Sequence, residues 1–239
     1  MIAWIKIAVR NILKNSRRSL YTIAAIALGF AAINIFGGFT NYIFHTIQTN
    51  QIYLQGEGHL VVFKGGYLEE GRIDPHKFLI SREELETIEG ILYDLPEVVL
   101  VSPQLRVSGL ISNGLVSTVF VGHGVAPSHV EFTQGRARGI LATFKLYEGR
   151  KLQDDISYGV GLSSGLSHIL DLREGDQAMA MTTTVDGMMN ALDMEVFQTF
   201  EAPLEALNDK MLRVSLDFAQ SLYDTDSVAQ VSVLLADDE

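Results

Sequence analysis

LYTIAAIALGFAAINIFGGFTNYIF, residues 20–44, is almost wholly apolar apart from Tyr21, Thr22, Asn34, Thr40 and Asn41, and no Asp, Glu, Lys or Arg occurs from Ser19 to Gly56. Twenty-five residues in a helix rise about 38 Å at roughly 1.5 Å each. That length crosses a hydrocarbon core of about 30 Å with some tilt, so a membrane-spanning helix is expected. The triplet Ala25-Ile26-Ala27 superficially resembles a signal-peptidase site. Apolar regions of signal peptides run roughly 7–15 residues, however, and here the run continues to Phe44. A retained span is therefore expected rather than a cleaved leader.

Residues 1–18 carry Lys6, Arg10, Lys14, Arg17 and Arg18 and no acid. Basic residues beside a span stay on the cytoplasmic side, which predicts a cytoplasmic N-terminus and an extracytoplasmic chain after Ile47. Ile2, Ile5, Val9, Ile12 and Leu13 recur at helical spacing while Lys6, Arg10 and Lys14 occupy another face, with Trp4 suited to the headgroups. The expected organisation is a cytoplasmic interfacial helix over 1–18, a transmembrane helix over 19–47 and an extracytoplasmic domain over 48–239. Within the span Ala25 pairs with Gly29 and Ala27 with Ala31 at four-residue spacing, which lets a second helix approach closely. Ordinary Ala and Gly usage in membrane helices is the plainer reading of those pairs. Asn34, near the middle of the span, favours contact with other helices, because an amide facing lipid lacks partners.

The chain has a net charge of −11, and residues 19–239 hold 13 bases against 29 acids. So acidic a domain repels phosphate backbones, and nucleic acid is not an expected partner. Cysteine is absent, which removes disulfides, thiolate metal sites and cysteine nucleophiles. Gly56, Gly58, Gly65 and Gly66 surround a short strand at His59–Phe63. Ser81 with Glu84 forms a capping box that opens a helix over Arg82–Leu95, with Leu85, Ile88, Ile91, Leu92 and Leu95 on one face and Pro96 as its stop. Strands are expected at Val98–Val101, Arg106–Ile111, Val116–Val121 and Val228–Leu235, and a second amphipathic helix at Leu212–Tyr223. The mixture predicts an α+β domain, with residues 122–139 as the candidate seam between subdomains.

Gly161-Leu162-Ser163-Ser164-Gly165 matches the nucleophile-elbow pattern, with His168 and Asp171 downstream. An elbow needs a buried strand before the serine, which Asp154–Tyr158 does not supply, and the order Ser, His, Asp is not that of an elbow hydrolase. A loop entering a helix is the expected role, and no catalytic residues are assigned. His45, His59, His76, His123, His129 and His168 show no i, i+3 or i, i+4 pairing on a convincing helix, so no metal site and no cofactor is expected, although His123 and His129 bracket one loop. No Walker A pattern occurs, so ATP hydrolysis is expected in another subunit.

The segment from Ile7 to Ser19, IAVRNILKNSRRS, followed by Ile26-Ala27-Leu28-Gly29, resembles the entry of ABC-transporter permeases of the MacB/LolC/LolE type, related to FtsX. Gly58-His59-Leu60-Val61-Val62 is similar to the run after the first span in the LolC/LolE branch. Glu148–Leu152, Gly159–Leu162, Leu172–Asp176 and the Leu212–Leu222 segment resemble further passages in the family's order, so the likeness touches nearly the whole chain. Ser163 falls inside a passage where the resemblance implies a structural loop and helix start. The resemblance implies a MacB-like periplasmic core domain and a non-enzymatic permease subunit in the bacterial inner membrane. Its implied partners are a cytoplasmic ABC ATPase, a second permease chain and lipoprotein, peptide or drug cargo. Such permeases carry three more spans after this domain, whereas this sequence stops at Glu239, so the expectation is a fragment, a split gene product or a short subunit. The alternative is a membrane-tethered extracytoplasmic binding or regulatory module without transport activity.

Overall fold

A computed structural model of the chain describes residues 4–7, 10, 14–71, 75–137, 146–202 and 204–236. The chain divides into two units, Met1–Gln48 and Thr49–Glu239. In the first unit, residues 4–7, 10 and 14 are helical, while Ile2, Val9, Ile12 and Leu13 of the expected interfacial helix lie outside the described residues. Helix α1, Ser16–Thr49, then runs for 34 residues. Its large side chains, among them Ile23, Phe30, Ile33 and Phe36, are exposed on all sides. A helix apolar all round has no stable place in water, which agrees with the expected span.

The second unit begins with a π-helical turn, Asn50–Leu54, and strand β1, Leu60–Val62. Gly58 between them sits at φ +69°, where a Cβ would lie 2.6 Å from the Val233 carbonyl oxygen. Only glycine allows that approach. A short helix α2, Tyr67–Glu70, and a 3-10 turn, Pro75–Phe78, lead to α3, Arg82–Tyr93. The capping box is formed as expected: Glu84 N–H donates to Ser81 Oγ at 3.3 Å and Ser81 N–H donates to Glu84 Oε2 at 2.9 Å. Leu85, Ile88 and Leu92 pack on Ile80, Val101, Val228 and Val231, whereas Ile91 stays exposed within the helix and Leu95 lies exposed beyond its end.

The two strands expected at 98–101 and 106–111 are one 15-residue strand, β2, Val98–Ser112, which passes straight through Pro103. Gln104 O accepts from Ala229 N–H at 2.9 Å, so the Pro103 nitrogen faces the opposite edge. On that edge β3, Ser117–Val125, pairs only from Gln104 onward, and the missing proline donor breaks no ladder bond. Gly122, the start of the expected seam, lies within β3, and Thr49–Glu239 is one unit. Then come α4, Pro127–Gln134; β4, Glu148–Gly149; β5, Gly159–Ser163; α5, Ser164–Leu170; β6, Gln177–Thr183; and β7, Met189–Phe200.

The helix expected over Leu212–Tyr223 is a strand and a shorter helix. Met211–Val214 is β8, and Ser215, whose Oγ accepts from Phe218 N–H at 3.1 Å, caps α6, Leu216–Tyr223. Leu212 and Val214 are buried alternately with the less buried Met211 and Arg213, a period of two that four residues are too few to announce. Strand β9, Gln230–Leu235, closes the chain's described part.

The strands form a nine-stranded mixed sheet in the order β1-β9-β2-β3-β8-β5-β7-β4, with β6 pairing both β2 and β7. Hydrogen bonding therefore closes on itself through β2, β3, β8, β5, β7 and β6. One core joins Leu105, Val107, Phe120, Val160, Leu162, Val196, Leu212 and Val214 of these strands to Leu166 and Leu170 of α5 and Phe218 and Leu222 of α6. The chain is thus α+β with one N-terminal apolar helix, as the sequence predicts.

Candidate functional site

Because side chains alternate along a strand, burying Leu105, Val107, Val160, Leu162, Leu212 and Val214 sends their neighbours to the other face. The strand register then aligns those neighbours. Arg106 of β2 lies opposite His123 of β3, His123 opposite Arg213 of β8, Arg213 opposite Gly161 of β5, and Gly161 opposite Gln198 of β7. Gln198 reaches this row only through a bulge: Val160 pairs with Val196 but Gly161 with Gln198, so Phe197 is the extra residue that re-aims the rest of the strand. Arg106, His123, Arg213 and Gln198 all line one cavity of about 550 Å³. Its walls include Leu54, Val121, Leu204, Leu207 and Met211, together with α4 through His129, Val130 and Thr133. Helix α4 is tied to the π-helical turn by Gln134 Nε2 donating to Leu54 O at 3.3 Å.

One end of the row is internally satisfied. Arg106 Nη2 donates to Glu57 Oε1 at 3.0 Å, and the buried Gln104 donates through Nε2 to Gly56 O at 2.8 Å. Gln104 Oε1 accepts from Gln230 Nε2 at 2.8 Å and lies 2.9 Å from His123 Nε2. A carboxamide oxygen can only accept, so His123 Nε2 carries the proton. Burial, with Arg106 and Arg213 as positive neighbours, pushes His123 down to about 4, and its ring is neutral near pH 7. His129, 3.1 Å from Ser102 Oγ through Nδ1, is also lowered by burial, with Asp154 working against it.

The other end is open. Arg213 makes no ion pair and no hydrogen bond among the described residues, and its partner is the Phe200 ring, 3.9 Å below the guanidinium. Burial pulls Arg213 down to about 10, which still leaves it protonated at neutral pH. Gln198, 4% exposed, also has no hydrogen-bond partner for its carboxamide among the described residues.

The candidates read from the sequence stand elsewhere. Ala25, Gly29, Ala27, Ala31 and Asn34 are on the exposed surface of α1, each small pair one turn apart. The Asn34 amide finds a partner on its own helix, donating through Nδ2 to Phe30 O at 2.7 Å. Ser163 ends a fully buried strand that enters α5, so the strand that Asp154–Tyr158 could not provide is made by Gly159–Ser163 itself. Its hydroxyl is occupied, donating to Met211 O at 2.9 Å and accepting from Met211 N–H at 3.1 Å, and His168 is exposed on α5. No triad is assembled there. Among the described residues no three His, Asp or Glu side chains converge as metal ligands.

Neither a protein-family profile nor a curated protein matches the sequence. Solved structures do. The periplasmic region of MacB from Actinobacillus actinomycetemcomitans aligns with a TM-score of 0.51 and 15% identity over 75% of this chain and 74% of that one. The extracellular domain of the noncanonic ABC-type transporter YknZ from Gram-positive bacteria aligns at 0.49 and 14%, over 74% and 82%. A permease-protein domain from Porphyromonas gingivalis aligns at 0.41 and 12%, over 63% and 67%. The MacB alignment shows that this chain carries the fold of that periplasmic region, the fold to which the sequence motifs point.

Proposed function

We propose that the chain is a permease subunit of an ABC transporter, or the N-terminal part of one, working by mechanotransmission. The observation that supports this reading is the order of parts in one polypeptide: an apolar helix long enough to span, followed by a domain with the fold of the MacB periplasmic region. In this reading residues 1–18 lie on the cytoplasmic face of the bacterial inner membrane, residues 19–47 span it and the domain from residue 48 is periplasmic. ATP is hydrolysed by a separate cytoplasmic subunit. Helix α1 packs on partner helices through the Ala25–Gly29 and Ala27–Ala31 faces and Asn34, and its movement is passed to the domain. Lipoprotein release and export of peptides or drugs are the transport roles that fit.

The test is affinity purification of the tagged full chain from native membranes in mild detergent. Co-purification of an ABC ATPase and a second permease chain is the expected result. Recovery as a lone monomer overturns the proposal. Recovery with a cell-envelope protein and no ATPase supports instead a membrane-tethered binding module.

A further inference from the structure

The row across the sheet is satisfied at one end and unsatisfied at the other, and the difference identifies a class of ligand. Arg106 has Glu57 and His123 has Gln104. Arg213 and Gln198, the next two side chains along the row, have neither acceptor nor donor among the described residues, yet both face the cavity. The half-buried Arg213 guanidinium turns toward the cavity five N–H donors in a planar fork that matches a carboxylate or a phosphate. The Phe200 ring beneath it answers the charge from one face only, leaving the fork free.

Gly161 separates the two side chains and makes room for both. A Cβ built there would lie 3.0 Å from Cγ and 3.0 Å from Nε2 of Gln198, so the carboxamide lies over the glycine, beside Arg213. The acids lining the cavity are already committed, Glu57 to Arg106 and Glu131 to Lys151. In a chain of net charge −11 the cavity therefore holds a positive charge that the protein itself leaves unneutralised. The rest of the wall is mixed: Leu54, Val121, Leu204, Leu207 and Met211 supply an apolar side, and Gln51, Ser102 and Thr133 are among its polar members. A cavity of about 550 Å³ with an apolar side and polar groups convergent on it is of the size that holds a small organic molecule. A fully hydrated inorganic ion would leave those walls wet.

We propose that this cavity binds an amphipathic organic monoanion, its carboxylate or phosphate head held by the Arg213 guanidinium and the Gln198 carboxamide and its apolar body laid against Leu54, Val121, Leu204, Leu207 and Met211. The inference stands on the cavity alone and does not depend on the permease reading.

The test is calorimetric titration of the full chain in lipid nanodiscs, with protein-free nanodiscs as the blank. The probes are octanoate, octanol and inorganic phosphate. Octanoate is expected to bind, with octanol and phosphate each weaker by about tenfold or more. Arg213→Gln weakens octanoate by about tenfold or more, and Arg213→Lys, which keeps the charge but not the fork, by a smaller factor of roughly three. Gly161→Ala, which displaces Gln198, weakens it by a similar factor of about three. Octanoate binding that is absent in the wild type, or unchanged in a folded Arg213→Gln chain, overturns the proposal. Phosphate binding as tight as octanoate removes the amphipathic assignment. If Arg213→Gln does not fold, the charge-preserving Arg213→Lys and Gly161→Ala chains decide, and unchanged affinity in both overturns it.

Discussion

Acidification is expected to weaken the domain from Thr49 onward through His123, and the size of the effect comes from the site. The imidazole carries no charge in the folded chain until the pH approaches about 4, because it is buried between Arg106 and Arg213, whereas in the unfolded chain it protonates at the ordinary 6.5. Above pH 6.5 both states hold the neutral ring and there is no contribution. As the pH falls below 6.5 the unfolded chain takes up a proton that the folded chain refuses, so stability is lost progressively until about pH 4 and no further below it. At pH 4.5 the loss amounts to about 2.5 kcal/mol, from a difference of roughly 2.5 in pKa at 1.36 kcal/mol each, less the part not yet reached. Denaturant unfolding of the full chain in non-ionic micelles, followed by circular dichroism at pH 7.5 and 4.5, measures it. His123→Gln keeps a donor for Gln104 Oε1 and removes the titration. Wild type is expected to lose about 2.5 kcal/mol more than the variant between the two pH values. His129 and the carboxylates titrate in both chains and cancel. Identical pH dependence in the two chains would refute the placement of a neutral, buried His123 between two guanidinium groups.

Ser81→Ala removes the hydroxyl that accepts from Glu84 N–H at the start of α3, and is expected to cost about 1 kcal/mol, read as a melting temperature lower by about 2–4 °C. An unchanged melting temperature would mean that Glu84, held also by Lys64 Nζ at 2.9 Å, secures the helix start unaided. Ser163→Ala removes a buried hydroxyl that bonds both the carbonyl and the N–H of Met211, with an expected cost of about 1–3 kcal/mol at unchanged denaturant slope. Ester hydrolysis present in the wild type and absent in this variant would contradict the structural role of that serine.

Sequence alone discloses, in this chain, the features that neighbouring residues decide among themselves. The 25-residue, almost wholly apolar stretch from Leu20 to Phe44 needs only its own length to announce a span. The capping box needs only Ser81 and Glu84 at a fixed offset. The same locality explains the errors. Met211–Val214 has the composition of a helix start and becomes a strand because β3 and β5 flank it, one parallel and one antiparallel. Pro103 suggests a break between two strands, but whether a proline breaks a strand depends on which edge its nitrogen faces.

The cavity row lies beyond any such reading, because its members come from five strands spread between residues 106 and 213 and meet only through register. A slip of one residue in any pairing would turn that member toward the core. His123 looks, in the sequence, like one of two histidines bracketing a loop, yet it stands inside β3. Gly161 shows the gap most clearly. Within Gly161-Leu162-Ser163-Ser164-Gly165 it reads as a loop glycine, or as part of a nucleophile motif, and neither reading explains why a side chain is missing there. Its place in the row does: Gln198, brought alongside by the bulge at Phe197, would lie only 3.0 Å from a Cβ there, and Arg213 stands on the other side. The glycine gives room to a residue 37 positions later in the chain, and so carries information about the cavity that no local pattern could express.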